Sequence, residues 1–206
     1  MKSAYFDYHV AKGIADGLLE MLRPLCDRIE IAGSIRRGKR RVGDVELVYV
    51  PKTRPVLDLL GEVCAEHNLV DECLSDLLAS GRLEKRLNVK GSTTWGSKNK
   101  LAVHNPSGLP VDLFATELRY FENYMVCRTG PAELNQEIAL RANRKGYTWC
   151  PYAGGFRAVE GEYIAPMQSE ADVFRFVGMD YMSPRARSHF KSRLKQKQTK
   201  EKGVLV

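Results

Sequence analysis

The chain lacks several things that would have set its class at once. No stretch of its 206 residues approaches the roughly 18 apolar residues that a membrane-spanning helix requires. The N-terminus has no apolar core of the kind a secretory signal carries. The five cysteines, Cys26, Cys64, Cys73, Cys127 and Cys150, are scattered and include no Cys-x-x-Cys pair. That argues against a structural zinc site and against a disulfide framework. The four histidines are scattered too, and each is expected to be a surface or structural residue. There is no internal repeat. A cytoplasmic, reducing, intracellular setting with no membrane partner is the expectation.

A uniformly basic body is also missing. The net charge is +7, but residues 185–202 alone hold eight Lys or Arg and one Glu, and the rest of the chain has equal numbers of basic and acidic residues. The other basic concentration is at residues 36–41, with five basic residues in six. The tail has two readings, a solvated extension or a salt-sensitive contact with a phosphate backbone. With 44% hydrophobic residues, the chain can bury a core as one domain or as a domain with a small lobe.

What is present is concentrated between Gly33 and Glu46: Gly-Ser-Ile-Arg-Arg-Gly-Lys-Arg-Arg-Val-Gly-Asp-Val-Glu. The run from Val45 to Val50 is β-branched and aromatic, which predicts a strand. Strand side chains alternate faces, so Asp44 and Glu46 point the same way. Two carboxylates held together repel each other unless a cation sits between them. Oxygen-only ligands suit hard divalent ions such as Mg²⁺, and the basic loop before them suits a polyphosphate. A metal–nucleotide site is the local reading.

These residues resemble the signature of the DNA polymerase beta-like nucleotidyltransferases: Gly-Ser, a variable basic segment, then Gly-Asp-x-Asp or Glu. The spacing is close to that of the family X DNA polymerases. The resemblance implies that Gly33 and Ser34 open a short helix at the β- and γ-phosphates. It further implies that Ser34 and Arg37 contact the triphosphate, with backbone help from Gly43. Arg36, next to Arg37, is expected to matter much less if it points to solvent. Asp44 and Glu46 become two of three metal ligands. The third is expected at Asp112, in the strand-like Gly108-Leu-Pro-Val-Asp112-Leu-Phe114, where it is also the candidate base. Two Mg²⁺ ions about 4 Å apart, with Mn²⁺ as a substitute, are the implied cofactors. Arg128-Thr129-Gly130 and Asn135 are similar to the family's Thr-Gly-x-x-x-x-Asn turn, which bears on the sugar and base of the nucleotide. A later stretch, from Ser169 to Pro184, is similar to the family's closing helix and its Tyr-x-x-Pro ending.

Two positions depart from the pattern. Cys127 and Arg128 stand where the family often has two aromatics, which leaves the ribose–deoxyribose preference open. Only some thirty residues precede Gly33, too few for the helical lyase domain of many members. The size is reminiscent of viral or phage members, whose compartment would be the host cell.

The expected fold is α+β: a mixed-sheet palm over residues 1–123, a small α/β lobe over 124–184, and a basic tail over 185–206. An amphipathic helix is predicted over residues 8–25, a second over 56–66 packed on the sheet, and others over 116–126 and 131–145. A hairpin is expected from residues 156–159 and 162–164. Trp95 is expected to pack on the palm from a turn between strands. The expected partners are a nucleoside triphosphate and a primer–template or gapped DNA, the latter held partly by the basic tail, with a monomer as the expected assembly. Three functions follow. The first is a minimal DNA polymerase that adds deoxynucleotides to a primer 3′ hydroxyl in gap-filling repair, releasing pyrophosphate. The second is a non-templated nucleotidyltransferase acting on RNA, a protein or a small molecule. The third is a non-catalytic nucleotide- or DNA-binding module.

Overall fold

The computed structural model describes residues 5–153, 155–158 and 167–190. In chain order its elements begin with β1 (Phe6–Asp7), α1 (Tyr8–Leu22), β2 (Cys26–Ile31), α2 (Gly33–Arg36), β3 (Arg41–Val42) and β4 (Val45–Pro51). Then come β5 (Thr53–Leu57), β6 (Val63–Asn68), α3 (Leu69–Ala79), β7 (Leu83–Lys85), β8 (Asn99–His104) and β9 (Leu109–Ala115). The last group is α4 (Phe121–Thr129), α5 (Ala132–Arg144), β10 (Tyr147–Cys150), β11 (Gly155–Ala158), α6 (Glu170–Phe176) and α7 (Pro184–Arg187). Among the described residues, no helix is long and apolar enough to cross a membrane.

The central sheet has five strands in the order β2-β4-β9-β8-β7. All its pairs are antiparallel except β4 with β9, which run parallel. The sheet is therefore mixed, and the fold is the α+β class read from the sequence. Both faces of β4 are covered, as its nearly unbroken apolar run requires. Val45, Leu47 and Tyr49 join Ala11, Ala15, Leu22, Val70 and Leu74 in the core on one face, under α1 and α3. Val48 and Val50 join Phe114, Phe121, Tyr124 and Met125 on the other, under α4. Glu46 lies in the second series by the period of two, so it shares the α4 face with Val48. A separate core of Val126, Leu134, Ile138, Phe156, Val173, Phe174 and Phe190 builds the C-terminal lobe.

Several expectations are met locally. Helix α1 covers residues 8–22 and closes in a 3₁₀ turn at Arg23–Leu25. Asp7 caps its start by accepting a hydrogen bond from the His9 N–H at 2.8 Å. Trp95 packs against the palm core.

The predicted helix over residues 56–66 is instead the β5–β6 hairpin. Val56, Leu59, Leu60 and Val63 stand at helical spacing, yet all four are exposed. The turn chemistry decides against the helix. Asp58 Oδ1 accepts from the N–H groups of Leu60 and Glu62, and Gly61 sits at φ +79°. The helix that covers the sheet here is α3, capped by Asn68 Oδ1 accepting from the Val70 N–H. The helix predicted from residue 116 begins later, at Phe121, after a 3₁₀ turn. Strand β11 pairs with β10, and residues 162–164, expected to be its partner, lie outside the described residues.

The boundary of the basic tail also moves. Arg187 has no exposed surface, and Phe190 is buried in the core of the lobe. Residues 185–190 thus belong to the folded body, and only residues 191–206 lie outside the described part. Truncation after Pro184 should therefore destabilise the protein. Glu170 would lose one of its two charged partners, and the lobe core would lose Phe190. Thermal unfolding of two truncations reads this out. A chain ending at Phe190 should melt close to the full-length protein, and one ending at Pro184 well below it. Equal melting of the two would show that Arg187 and Phe190 contribute nothing to the fold.

Candidate active site

The three carboxylates are delivered by adjacent strands. In the parallel register Glu46 lies directly opposite Asp112. Asp44 precedes β4 by one residue, two positions before Glu46. Their electrostatics show how close they are. Burial and then the Asp44 carboxylate push Glu46 up to about 8. Asp44 is raised by burial and then by Asp112. Asp112 is raised by burial, against the opposing pull of Arg86. A cluster whose members all resist ionisation together is one that a cation would favour.

As placed, however, the side chains do not converge. Among the described residues, no group of three or more His, Cys, Asp or Glu stands ready to enclose a metal ion. Asp112 has a different partner here: its Oδ1 accepts from Arg86 Nη2 at 2.5 Å. This guanidinium supplies the positive charge that the carboxylates need. Arg86 was not among the residues read from the sequence. It follows β7, two strands from Asp112, and its N–H bonds to Leu101, the residue paired with Asp112. No local signal in the sequence could have found it.

Gly33 shows why the signature needs a glycine. Its φ is +62°, and a Cβ there would collide with Glu46 Oε2. The glycine thus lets the loop lie directly over a site carboxylate. Ser34 follows in the single turn of α2, and Arg37 closes that turn. Gly43 lies in the bend between β3 and β4, next to Asp44.

The Thr-Gly turn comes from the other lobe and meets this loop. Arg36 Nη1 donates to Thr129 Oγ1 at 2.8 Å, and Arg37 Nη1 donates to the Thr129 carbonyl. Arg36 also donates to Glu170 Oε1 at 2.5 Å. The condition for Arg36 to matter little is therefore not met, because the residue ties palm to lobe. Gly130 takes φ +60° in this turn, a value that favours glycine.

Arg128 lies in the space where the family pattern has an aromatic. Its guanidinium carbon stacks 3.5 Å from the centre of the Phe114 ring and 4.9 Å from that of Tyr152. It also draws Glu46 and Asp112 toward the ionised form. Tyr152, likewise missed by the sequence reading, contacts Cys127, whose Sγ lies 3.2 Å from the tyrosine hydroxyl. Asn135 Nδ2 donates to the Cys127 carbonyl at 2.8 Å.

Buried polar atoms without partners bear on what the site holds. Among the described residues they include Ser34 Oγ, Arg37 Nε, Arg86 Nε, Arg128 Nε and Asn135 Oδ1. Such atoms are costly unless something bonds to them. Four of the five belong to residues expected to meet the nucleotide. A polyanion with a hard cation fits this donor set: hydroxyl and guanidinium for phosphate oxygens, carboxylates for the metal.

Comparison with known proteins follows the same lines. The family model described as DNA polymerase beta thumb matches residues 124–188. Among solved structures, the chain is similar to the crystal structure of Leishmania infantum polymerase beta in a ternary P/T complex. The TM-score is 0.67 at 19% identity, over 89% of this chain and 77% of that one. A search of curated proteins gave no significant match. In fold class, then, the molecule is an α+β structure with a mixed sheet and a palm-like arrangement similar to that of polymerase beta. More narrowly, residues 124–188 match the DNA polymerase beta thumb model, and the fold as a whole is similar to that of polymerase beta.

Proposed function

We propose that the chain is a divalent-metal-dependent nucleotidyltransferase, and that its reaction is the addition of deoxynucleotides to a primer 3′ hydroxyl, as in gap filling. One observation carries the reading: the parallel register of β4 and β9 sets Glu46 beside Asp112, with Asp44 in electrostatic contact with both. The similarity to the Leishmania infantum polymerase, whose structure is a ternary P/T complex, supports a nucleic-acid partner. In this reading residues 1–123 are the palm, and the nucleotide lies between it and the thumb.

Ser34 and Arg37 donate to the phosphate oxygens, and their unpartnered atoms are available for it. Asp44, Glu46 and Asp112 would hold Mg²⁺, with Mn²⁺ able to replace it. When bound, a divalent ion supplies charge neutralisation at the attacking oxygen and at the leaving pyrophosphate. Arg86 engages Asp112 through Oδ1, which leaves Oδ2 of that carboxylate for a metal or for the proton of the attacking hydroxyl. The protein's share is mainly positioning and preorganised charge.

The test is incorporation on a gapped primer–template with Mg²⁺ and each triphosphate offered singly. Template-directed extension is the expected result. Labelling that ignores the template would move the assignment to a non-templated transferase. No incorporation with DNA, RNA or protein acceptors would leave a nucleotide- or DNA-binding module.

A further inference from the structure

Arg187 is the largest fully buried side chain described in the molecule, and it is a cation. Its guanidinium carbon lies 5.0 Å from the centre of the Phe174 ring, and Nε donates to the Met182 carbonyl at 2.9 Å. Nη2 donates to Glu170 Oε2 at 2.5 Å. The other oxygen of that carboxylate accepts from Arg36 of the palm, also at 2.5 Å. Glu170 is therefore shared, one oxygen to each arginine. Burial alone would push its pKa up, but the two guanidiniums outweigh burial and hold it down.

The chain of contacts ends at the phosphate loop. Arg36 passes from Glu170 to the Thr129 hydroxyl, and the adjacent Arg37 takes the Thr129 carbonyl. A second tie runs alongside: Ser188 Oγ donates to the Arg37 carbonyl at 3.0 Å, one residue beyond Arg187. Lys39 Nζ reaches the Ser188 carbonyl at 3.4 Å. The C-terminal segment thus holds the loop through side chain and backbone.

We infer that Glu170 and Arg187 are positioning residues, which fix Arg36 so that Ser34 and Arg37 are held in one arrangement for a triphosphate. The inference rests on the reading of Ser34 and Arg37 as the triphosphate contacts. Its physical basis is the geometry of a shared carboxylate. Each oxygen has one short charged partner, and Arg187 cannot shift without giving up Phe174 and the Met182 carbonyl. The loop therefore inherits the rigidity of the thumb core. Arg187 touches no substrate in this scheme and acts entirely through Glu170 and Arg36.

The test uses the full chain with Glu170→Gln, Arg36→Met, the pair together, and Arg187→Lys. Two quantities are read: amide hydrogen exchange over residues 34–39, and the Kd for dATP with Mg²⁺ in the absence of acceptor. Glu170→Gln keeps the shape but leaves the buried Arg187 without its carboxylate, so a thermal melt and the exchange of amides in β4 are read alongside to separate a local change from loss of the fold. The variant should speed exchange over 34–39 and weaken dATP binding about tenfold or more, as expected for loss of charged hydrogen bonds. The double variant should be no worse than the worse single one, because both break the same link. Arg187→Lys should fall between, since an ammonium cannot serve Glu170 and Met182 from the same fork. In turnover the KM for dATP should rise more than kcat falls. Exchange and Kd within twofold of wild type for Glu170→Gln would overturn the inference. So would additive effects of Glu170→Gln and Arg36→Met, or faster exchange with an unchanged Kd. A wild-type protein that binds no dATP would instead refute the proposed function, while the exchange data would still report on the link itself.

Discussion

Asp112→Asn should remove nearly all nucleotidyl transfer while leaving the protein folded. Metal-borne stabilisation of a transition state amounts to several kcal/mol, and each 1.4 kcal/mol or so is a factor of ten. A loss in kcat of about 10³-fold or more is therefore expected for the proposed reaction. The fold should survive because of what surrounds the residue. Asp112 is flanked on β9 by Val111 and Leu113, which are fully buried on the opposite face of the sheet, and an asparagine leaves them in place. Arg86 loses its carboxylate but retains solvent contact, with 29% of its side chain exposed. Steady-state incorporation on gapped DNA, together with a thermal melt, separates the two effects. A variant that turns over at close to the wild-type rate would refute the three-carboxylate site. A variant that is inactive only because it is unfolded would contradict the placement of Asp112 on the polar side of β9.

The second large effect is on stability against pH in the absence of metal. Glu46 has an ordinary value of 4.5 and is pushed up to about 8 in the fold, by burial first and then by Asp44. Between those two values the folded protein holds a proton that the unfolded chain has released. Folding therefore takes up a proton, and stability must fall as pH rises. The contribution is fully present below about 4.5, declines above it, and is lost as pH passes through about 8. Glu46→Gln removes that penalty because a neutral amide has nothing to ionise. The variant should match the wild type near pH 5. It should melt several degrees higher at pH 9, since a few kcal/mol corresponds to roughly 5–10 °C in a chain of this size. Mg²⁺ should narrow the difference by stabilising the ionised wild-type carboxylate. Differential scanning calorimetry across pH 5–9 checks this. Parallel curves for the two proteins would mean that Glu46 is not held in its protonated form.

The two effects pull in opposite directions, and together they describe the site. Carboxylates that would coordinate a hard cation make the metal-free protein less stable above neutral pH. Arg86, Arg37 and Arg128 offset part of that repulsion. Natural proteins accept such local cost at sites of function.

How much of this was legible in the sequence depends on how far apart the cooperating residues lie. The strand at residues 45–50 was legible because side-chain alternation and β-branching act within a few residues. The same alternation set Asp44 and Glu46 on one face. The glycine at position 33 was legible as part of the signature, although its reason, the Glu46 carboxylate lying over it, is a tertiary contact. Helix α1 was legible for the same local reasons. The segment at residues 56–66 shows where local periodicity misleads. Its apolar spacing fits a helix, but the Asp58 turn and Gly61 direct a hairpin, and α3 takes the sheet face instead.

The sequence alone, then, pointed to the proposed class of chemistry: two carboxylates on one strand, a basic loop before them, and a third acid in a second apolar run. Local propensity and the period of a strand are enough for that. Only the tertiary structure decided which cations serve these groups. Arg86 reaches Asp112 across 26 residues. Arg187 reaches the phosphate loop through a glutamate that lies 134 residues from Arg36. Arg128 is held between Phe114 and Tyr152. A guanidinium on a flexible stem can pair with any carboxylate that the fold brings near it. Its partner is therefore set by sheet register and lobe packing, which sequence neighbours do not encode.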